Sequence, residues 1–358
     1  MRVKLEQVCE RDSSNLKQTD IVNKVDGYPV YGASGLIGMV DFYQQDKPYI
    51  AVVKDGAGIG RTTLNPAKSS VIGTMQYLIP KNNVIPEYLY YVVSYMHLEK
   101  YFTGATIPHI YFRDYKNEEF NLDSIESQRK IVKVLGICEH VIESRKEELL
   151  KLDELVKARF VEMFGDPINN TKNLPVRHLG DLGIWNSGGT PSRSNPEYFC
   201  GSINWYSAGE LNSLYLHGSN EKITEEAVES SAAKLFKSGS MLVGMYDTAA
   251  FKMGILTEDS ASNQACACIE PNSSIDIVWL YYALTLMKDT YLSQRRGVRQ
   301  KNLNLGMIRD FTLPTAYIDE QKQFVGFVEQ VDKSKVAVQK SLDETQLLFD
   351  CLMQNYFG

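Results

Sequence analysis

The stretch that decides the fold is IESQRKIVKVLGICEHVIESRKEELLKLDELVKARFVEMFG, residues 125–165, because the chain carries a second copy of it. The copy reads IDEQKQFVGFVEQVDKSKVAVQKSLDETQLLFDCLMQNYFG, residues 318–358, and it aligns without a gap, so that Gln128 falls on Gln321. Neither copy contains proline, and both are rich in Glu, Lys, Leu and Gln. Each is therefore predicted to form one long helix.

The apolar positions of both copies recur at alternating spacings of four and three, which is the pattern of a coiled-coil seam. A helix about 60 Å long, at 1.5 Å per residue, cannot bury such a stripe alone. Because the chain supplies a second helix of equal length, the two are predicted to pair with each other. The predicted pairing residues are Ile131, Leu135, Ile142, Leu149, Leu152, Val156, Phe324, Val328, Val331, Val338, Leu342 and Phe349.

The segments before the two helices also repeat, although more loosely. EYLYYVV resembles VWLYYAL, which aligns Leu89 with Leu280. A run of turn-forming residues, GDPINNTKNLP, follows the first helix and marks a boundary. The predicted organisation is a first variable domain (1–124), a long helix (125–165), a linker (166–175), a second variable domain (176–317) and a second long helix (318–358).

Composition limits the class of protein. The chain has 358 residues, 44% of them hydrophobic and 23% charged, which is typical of a globular protein with more than one domain. The sequence has neither an apolar run of about 18 residues nor a signal-peptide core, so we expect a cytoplasmic protein with no membrane association. Cys266 and Cys268 alternate within an apolar strand, QACACIEP, which favours buried thiols over a metal site.

The stretch KDGAGIGRTT, residues 54–63, has the glycine content of a nucleotide-binding loop, but its spacing is GxGxG and a β-branched segment follows instead of a helix. In the second half of the chain, an offset of 192 residues places its three glycines on Thr248, Ala250 and Lys252, and places Asp55 on Asp247. A phosphate cradle would need those glycines. The stretch is therefore predicted to be a hairpin with glycines at positive φ, and no cofactor is expected.

No catalytic residue is predicted, because the sequence lacks the HExxH, GxSxG and PD…(D/E)xK patterns and its five histidines have no ligand spacing. The net charge of −6 also argues against a free-standing nucleic-acid binder.

Several loops nevertheless carry residues suited to contacting a polyanion. QRRGVRQKNLN, residues 294–304, combines clustered cations with amides that can read base edges, and 103–117 is its counterpart in the first half. The loop 187–212 and the flanks of the glycine stretch add further candidates. Charge alone does not distinguish such segments from ordinary solvated loops. The predicted contact residues are Lys54, Arg61, His109, Tyr111, Arg113, Arg193, Tyr206, Lys252, Arg295, Arg296, Arg299, Gln300, Lys301 and Asn302.

The order of these parts, with GYPVYGASGLIGMVDFY, KDGAGIGRTT, INWYSAGEL, SNQACA and the two helices ending in FG, resembles the DNA-specificity subunit of type I restriction–modification enzymes. The resemblance extends over essentially the whole chain. It implies an α+β fold with two pseudo-symmetric mixed α/β target-recognition domains, joined and separated by two long antiparallel helices that form a coiled coil. Each domain would read one half of an asymmetric bipartite DNA site.

The resemblance also implies a set of partners. These are double-stranded DNA, two modification (methyltransferase) subunits that dock on the helical region, and restriction subunits bound through the assembled complex. The specificity subunit itself would have no catalytic activity and no cofactor. Two alternatives stay open at this point: a methyltransferase that binds S-adenosylmethionine at Gly56–Gly60, and a scaffold whose helices and globular parts bind other proteins.

Overall fold

The computed structural model describes residues 1–21, 27–103, 108–294 and 302–358. Contacts divide the chain into two compact units. Unit 1 comprises Met1–Glu147 and Gln339–Gly358, and unit 2 comprises Glu148–Val338. Each unit therefore combines a variable segment with parts of both long helices, whereas the domain boundaries predicted from the sequence treat the helices as separate elements.

Unit 1 contains short strands, short helices, the first part of one long helix and the last part of the other. The strands are β1 (Arg2–Lys4), β2 (Cys9–Ser13), β3 (Tyr28–Gly32), β4 (Gly35–Val40), β5 (Tyr49–Val53), β6 (Thr62–Asn65), β7 (Ser70–Val71), β8 (Met75–Pro80) and β9 (Glu119–Asn121). The α-helices are α1 (Leu5–Val8), α2 (Pro86–Tyr95), α3 (Phe112–Tyr115) and the long α4 (Ile125–Phe164), with 3-10 turns at Gln18–Asp20 and Leu98–Tyr101.

Unit 2 has the same kinds of elements, together with the last part of α4 and the first part of the second long helix. Its strands are β10 (Val176–His178), β11 (Gly183–Ser187), β12 (Ile203–Tyr206), β13 (Tyr215–Leu216), β14 (Glu221–Ile223), β15 (Leu235–Phe236), β16 (Met241–Gly244), β17 (Met253–Leu256), β18 (Ser260–Ser262), β19 (Cys266–Pro271) and β20 (Thr312–Pro314). Its helices are α5 (Glu225–Glu229), α6 (Ile277–Ser293), α7 (Leu305–Asp310) and the long α8 (Ile318–Phe357), with 3-10 turns at Leu179–Asp181, Pro196–Phe199, Ala208–Glu210 and Asp247–Ala249.

The main sheets of the two units share one strand order. In unit 1 the order is β2-β8-β5-β6, and in unit 2 it is β11-β19-β16-β17 with β13 added in parallel to β17. Each unit also has a short antiparallel pair, β1 with β9 and β10 with β20. The second sheets differ, being β4-β3-β7 in unit 1 and β14-β12-β18-β15 in unit 2. The predicted fold class, two pseudo-symmetric mixed units with long antiparallel helices, is confirmed.

The residue types explain the central strands. Every residue of YIAVV in β5 is buried, as is every residue of MLVG in β16, because a strand covered on both faces has no solvent side. Cys266 and Cys268 lie buried in β19, so the prediction of buried thiols in a strand is confirmed. Burial raises the pKa of the Cys266 thiol to about 12, which keeps it protonated.

The two long helices run antiparallel. In unit 2, Lys335 Nζ lies 2.6 Å from Asp153 Oδ1, and the rings of Phe160 and Phe324 lie 5.3 Å apart. Thus later positions on α4 meet earlier positions on α8. In unit 1, Ile131 near the start of α4 shares a core with residues near the end of α8, among them Phe349 and Met353.

Of the predicted pairing residues, none is exposed. Eight are buried: Ile131, Leu135, Ile142, Val156, Phe324, Val328, Val331 and Val338. Leu149, Leu152, Leu342 and Phe349 are half-buried. Among the helices of the described residues, none combines the length with the apolar character that crossing a membrane requires.

Candidate nucleic-acid interface

The glycine stretch of unit 1 forms the turn of an antiparallel hairpin between β5 and β6. Gly56 has φ of 85° and Gly60 has φ of 82°, a conformation that residues with a Cβ rarely adopt. The N–H of Gly60 donates to Val53 O at 2.9 Å, and that of Gly56 donates to Pro108 O at 3.1 Å. The prediction of a hairpin is confirmed. Because these two N–H groups are already bonded and a strand follows the loop, it is not built as a phosphate cradle.

Unit 2 has the equivalent hairpin between β16 and β17. Gly244 N donates to Lys252 O, and Phe251 N donates to Gly244 O, both at 2.8 Å. In unit 1 the same two bonds join Val53 with Arg61 and Gly60, at 2.9 Å each. According to this backbone pairing, equivalent residues of the two hairpins are 191 positions apart in the sequence.

The sequence-based offset of 192 for this loop was wrong by one residue. The bonded register places Gly56 on Asp247 and Gly60 on Phe251, and both of these unit 2 residues also have positive φ, 49° and 57°. Asp55 consequently has no aspartate counterpart. The sequence alignment matched the two aspartates, whereas backbone hydrogen bonds and positive φ fix the actual register.

A second segment lies beside each hairpin. In unit 1, Ile110 N donates to Lys54 O at 2.9 Å, and in unit 2, Leu303 N donates to Met245 O at 2.8 Å. The prediction that 103–117 and 294–304 are counterparts is thus confirmed at the described ends of both segments. Each unit brings a hairpin turn and the start of a short helix, α3 or α7, to one place on its surface.

In unit 1 this place holds several predicted contact residues. His109 Nδ1 lies 2.6 Å from Asp55 Oδ1, and its ring stacks on Tyr111 with centroids 6.5 Å apart. The Arg113 guanidinium lies 4.7 Å from the centroid of the Tyr111 ring. Lys54 Nζ is 3.9 Å from Asp55 Oδ2. The fold therefore brings aromatic and cationic side chains that are more than fifty positions apart in sequence into one cluster.

Arg61 lies on the other flank of the hairpin, where its Nη1 donates to Ala33 O at 3.0 Å. In unit 2, Lys252 Nζ donates to Asn212 Oδ1 at 2.9 Å, and Asn302 Oδ1 accepts from Asp247 N at 3.0 Å. Asn302 thus occupies the place that His109 has in unit 1, with an amide in place of an imidazole.

Two predicted residues lie elsewhere in unit 2. Arg193 donates to both carboxylate oxygens of Glu221, at 2.5 and 2.8 Å, and its guanidinium lies 4.1 Å from the centroid of the Phe199 ring. The hydrogen bond to Glu221 raises the pKa of Arg193 and lowers that of Glu221. Tyr206 is only 1% exposed and belongs to the core, so its ring does not form part of the surface. The predicted Arg295, Arg296, Arg299, Gln300 and Lys301 lie outside the described residues.

Arg11 was missed by the sequence analysis. It lies on β2 and lines a cleft together with Tyr111, Phe112, Arg113 and Lys116. A single arginine in the acidic context CERDS carried no signal, because only tertiary folding places it beside α3. Within the described part of the chain, no cluster of three or more His, Cys, Asp or Glu side chains is arranged to hold a metal ion.

Comparison with known proteins identifies the family. The sequence model described as "Type I restriction modification DNA specificity domain" matches residues 1–153 and 172–345, which is most of the chain. Among curated proteins, the chain is similar to the type I restriction enzyme EcoR124I/EcoR124II specificity subunit of Escherichia coli, with 26% identity over 160 residues. It is also similar to the type I restriction enzyme MjaIX specificity subunit of Methanocaldococcus jannaschii, with 26% identity over 184 residues.

These curated matches cover 43% and 46% of this chain but only 40% and 43% of the two relatives, so the matched part spans less than half the length of each. Two solved structures share the fold. The S subunit of a type I restriction–modification system from M. genitalium has a TM-score of 0.64 at 14% identity, covering 100% of this chain and 96% of that one. A chain from a type I R-M complex has a TM-score of 0.60 at 16% identity, covering 99% and 97%.

Proposed function

The chain belongs to the family of type I restriction–modification DNA specificity domains, and from that premise we propose that it is the specificity subunit of a type I restriction–modification system. In this proposal each unit recognises one half of an asymmetric, bipartite site in double-stranded DNA. The chain carries out no chemistry itself. Modification subunits, two of them, dock on the region of the long helices, and restriction subunits join through the assembled complex.

One observation carries the proposal: the two units present different side chains on the same backbone frame. The hairpin and its neighbouring segment recur in both, but His109 in unit 1 corresponds to Asn302 in unit 2. Imidazole and amide groups form different hydrogen bonds with base edges. To read two different half-sites, a protein needs different side chains at equivalent positions of its two units, and this arrangement provides them.

The cations near these hairpins support contact with DNA in spite of the net charge of −6. Arg113 is 75% exposed at the side chain, and Lys54 and Arg61 flank the turn of unit 1. Local positive charge can neutralise phosphates, while base edges are read by groups such as His109 and Asn302. In this proposal the excess of acidic residues lies on surfaces that face the protein partners.

The proposal is tested by exchanging one recognition unit. The chain is reconstituted with its modification subunits, and the methylated sequences are determined genome-wide before and after residues 1–120 are replaced by the same region of a relative. We expect one half of the recognised sequence to change and the other to stay the same. A change in both halves, or a wild-type complex that methylates no defined sequence, would refute the proposal.

The long helices are proposed to set the distance between the half-sites. Insertion of the same number of residues into α4 and α8, in register, should increase the number of unspecified base pairs between the half-sites without altering either half. Methylome sequencing gives both quantities at once. If the gap stayed constant, the helices would not determine the spacing.

A further inference from the structure

Unit 1 has a cleft of about 310 Å³ beside the candidate interface, lined by Arg11, Tyr111, Phe112, Arg113 and Lys116. Three of its five lining residues are cations and the other two are aromatic. No carboxylate lines it. This composition distinguishes the cleft from four other surface clefts of the described residues, each of which has acidic side chains in its lining.

The three cations of the cleft differ in whether a nearby carboxylate neutralises their charge. Lys116 Nζ lies 2.9 Å from Glu6 Oε2, and the hydrogen bond from Lys116 holds the pKa of Glu6 below its ordinary value. Arg113 has only a long contact with Asp114, 3.5 Å from Nε to Oδ1. Arg11 is exposed and has no ion pair among the described residues. Two guanidinium groups thus remain available for an anion.

Both arginines are also held in place. Arg11 projects from β2, where it pairs with Leu78 of β8 in the main sheet. Arg113 is in the first turn of α3, and its guanidinium lies 4.7 Å from the centroid of the Tyr111 ring. A planar guanidinium can donate two parallel hydrogen bonds to a phosphate, and a fixed starting geometry reduces the entropy lost on binding.

The cleft at the equivalent short helix of unit 2, α7, has a different lining, which includes the carboxylates of Asp181 and Asp310. Since Cys9 pairs with Pro80 and Gly183 pairs with Pro271 in equivalent registers, Trp185 takes the place of Arg11. Trp185 is buried, and its Nε1 donates to Leu179 O at 2.8 Å. When the two short helices are aligned at their first residues, the unit 2 equivalents of Tyr111, Phe112, Arg113 and Lys116 are Asn304, Leu305, Gly306 and Arg309.

We propose that this cleft binds a backbone phosphate of the DNA next to the half-site that unit 1 reads, with Arg11 and Arg113 as the groups that contact it. The inference rests on the proposed function, because it requires DNA to lie against unit 1. It goes further because it assigns a sequence-independent contact to Arg11, and because it expects this contact in unit 1 and not in unit 2.

The test uses the complex reconstituted with its modification subunits and a duplex containing its site. Affinity is measured at several salt concentrations between about 50 and 200 mM for the wild type, Arg11→Ala and Arg11→Gln. Loss of one phosphate contact should lower the slope of log K against log salt by about one, and it should weaken cognate and non-cognate duplexes by the same factor. The methylated sequence should not change.

Arg2→Ala is the matched control. Arg2 also belongs to unit 1 and its side chain is exposed, but it pairs with Glu119 at 2.8 Å and lies outside the cleft, so its removal should leave the salt slope unchanged. A methylphosphonate scan then locates the contact. Neutralising one phosphate beside the half-site of unit 1 should weaken DNA binding by the wild-type complex and should not change DNA binding by the Arg11→Ala complex.

The outcomes separate the two proposals. If the complex binds its site but both Arg11 variants keep the wild-type slope and respond to every methylphosphonate as the wild type does, the cleft is not a phosphate site. If the wild-type complex binds no specific DNA, the proposed function itself fails. Equal thermal unfolding of Arg11→Gln and the wild type shows that a reduced slope is not caused by misfolding.

Discussion

Gln128 and Gln321 make the same set of hydrogen bonds in the two units, each from a side chain that is fully buried near the start of a long helix. Gln128 Oε1 accepts from Ile85 N at 2.9 Å, and Gln321 Oε1 accepts from Asp276 N at 2.7 Å. Their Nε2 groups donate to carbonyl oxygens of Asn83 and Asp123 in unit 1, and of Ser274 and Ala316 in unit 2. Each glutamine therefore ties its long helix to the segment that precedes α2 or α6.

Replacing either glutamine by alanine should destabilise its own unit by about 2–3 kcal/mol, because buried N–H and C=O groups lose their partners. Gln128→Ala and Gln321→Ala should have similar effects, since the bonds are equivalent. Hydrogen exchange provides the local readout: the amide of Ile85 should lose protection in the first variant and the amide of Asp276 in the second. Unchanged protection at both amides would contradict the structural role assigned to these residues.

Phe164, at the end of α4, packs into the core of unit 2 with its ring 5.7 Å from that of Trp279 and 5.8 Å from that of Phe324. Phe164→Ala should cost about 3–5 kcal/mol because it leaves a cavity. Val161→Ala on the same helix is the control, since Val161 is 42% exposed and its loss should change stability by less than about 0.5 kcal/mol. Denaturant unfolding of unit 2 distinguishes the two, and equal effects would show that the ring does not stabilise the core.

The hairpin of unit 1 predicts an order of stability for two glycine substitutions. Both Gly56 and Gly60 have positive φ, so alanine at either position costs about 1–2 kcal/mol. A Cβ at Gly60 would also lie 2.5 Å from Glu99 N, whereas at Gly56 nothing lies within 4 Å. Gly60→Ala should therefore destabilise by about 2–4 kcal/mol in total, and more than Gly56→Ala. Thermal unfolding gives the order, and the reverse order would rule out this hairpin geometry.

Asp332 of unit 2 predicts a pH dependence. Burial, with further contributions from Asp153 and Glu329, raises its pKa, and Lys335 with Nζ 3.7 Å away opposes this only in part. A raised carboxyl pKa means that the folded state binds the proton more tightly, so this group's contribution to stability falls as pH rises through the shifted pKa. Asp332→Asn should therefore be more stable than the wild type at pH 7, by less than about 1 kcal/mol.

The stability difference between Asp332→Asn and the wild type should decrease as the pH falls through the raised pKa of Asp332, because the carboxyl then becomes neutral and resembles the amide. Unfolding curves of both proteins at a series of pH values measure this difference directly. A constant difference across the series would show that ionisation of Asp332 is not its cause.

Tertiary structure decided the details of the candidate interface. The offset that aligned Asp55 with Asp247 was wrong by one residue because sequence similarity does not report which backbone groups pair. Arg11 could not be predicted, since its significance depends on β2 passing beside α3, far away in sequence. Arg193 was predicted to contact DNA from its loop, and only the structure shows that it is paired with Glu221, 28 residues away in sequence.

The sequence by itself determined the duplicated plan, the two long helices and the buried seam, because helical periodicity and gapless repetition are local patterns that a single chain displays directly. It also determined that the glycine stretch is a turn. Only the tertiary structure decided which loops lie side by side, which charges remain uncompensated and that Tyr206 is buried. Those properties depend on distances between residues that are remote in sequence, and such distances are fixed by strand pairing and core packing, not by any one segment.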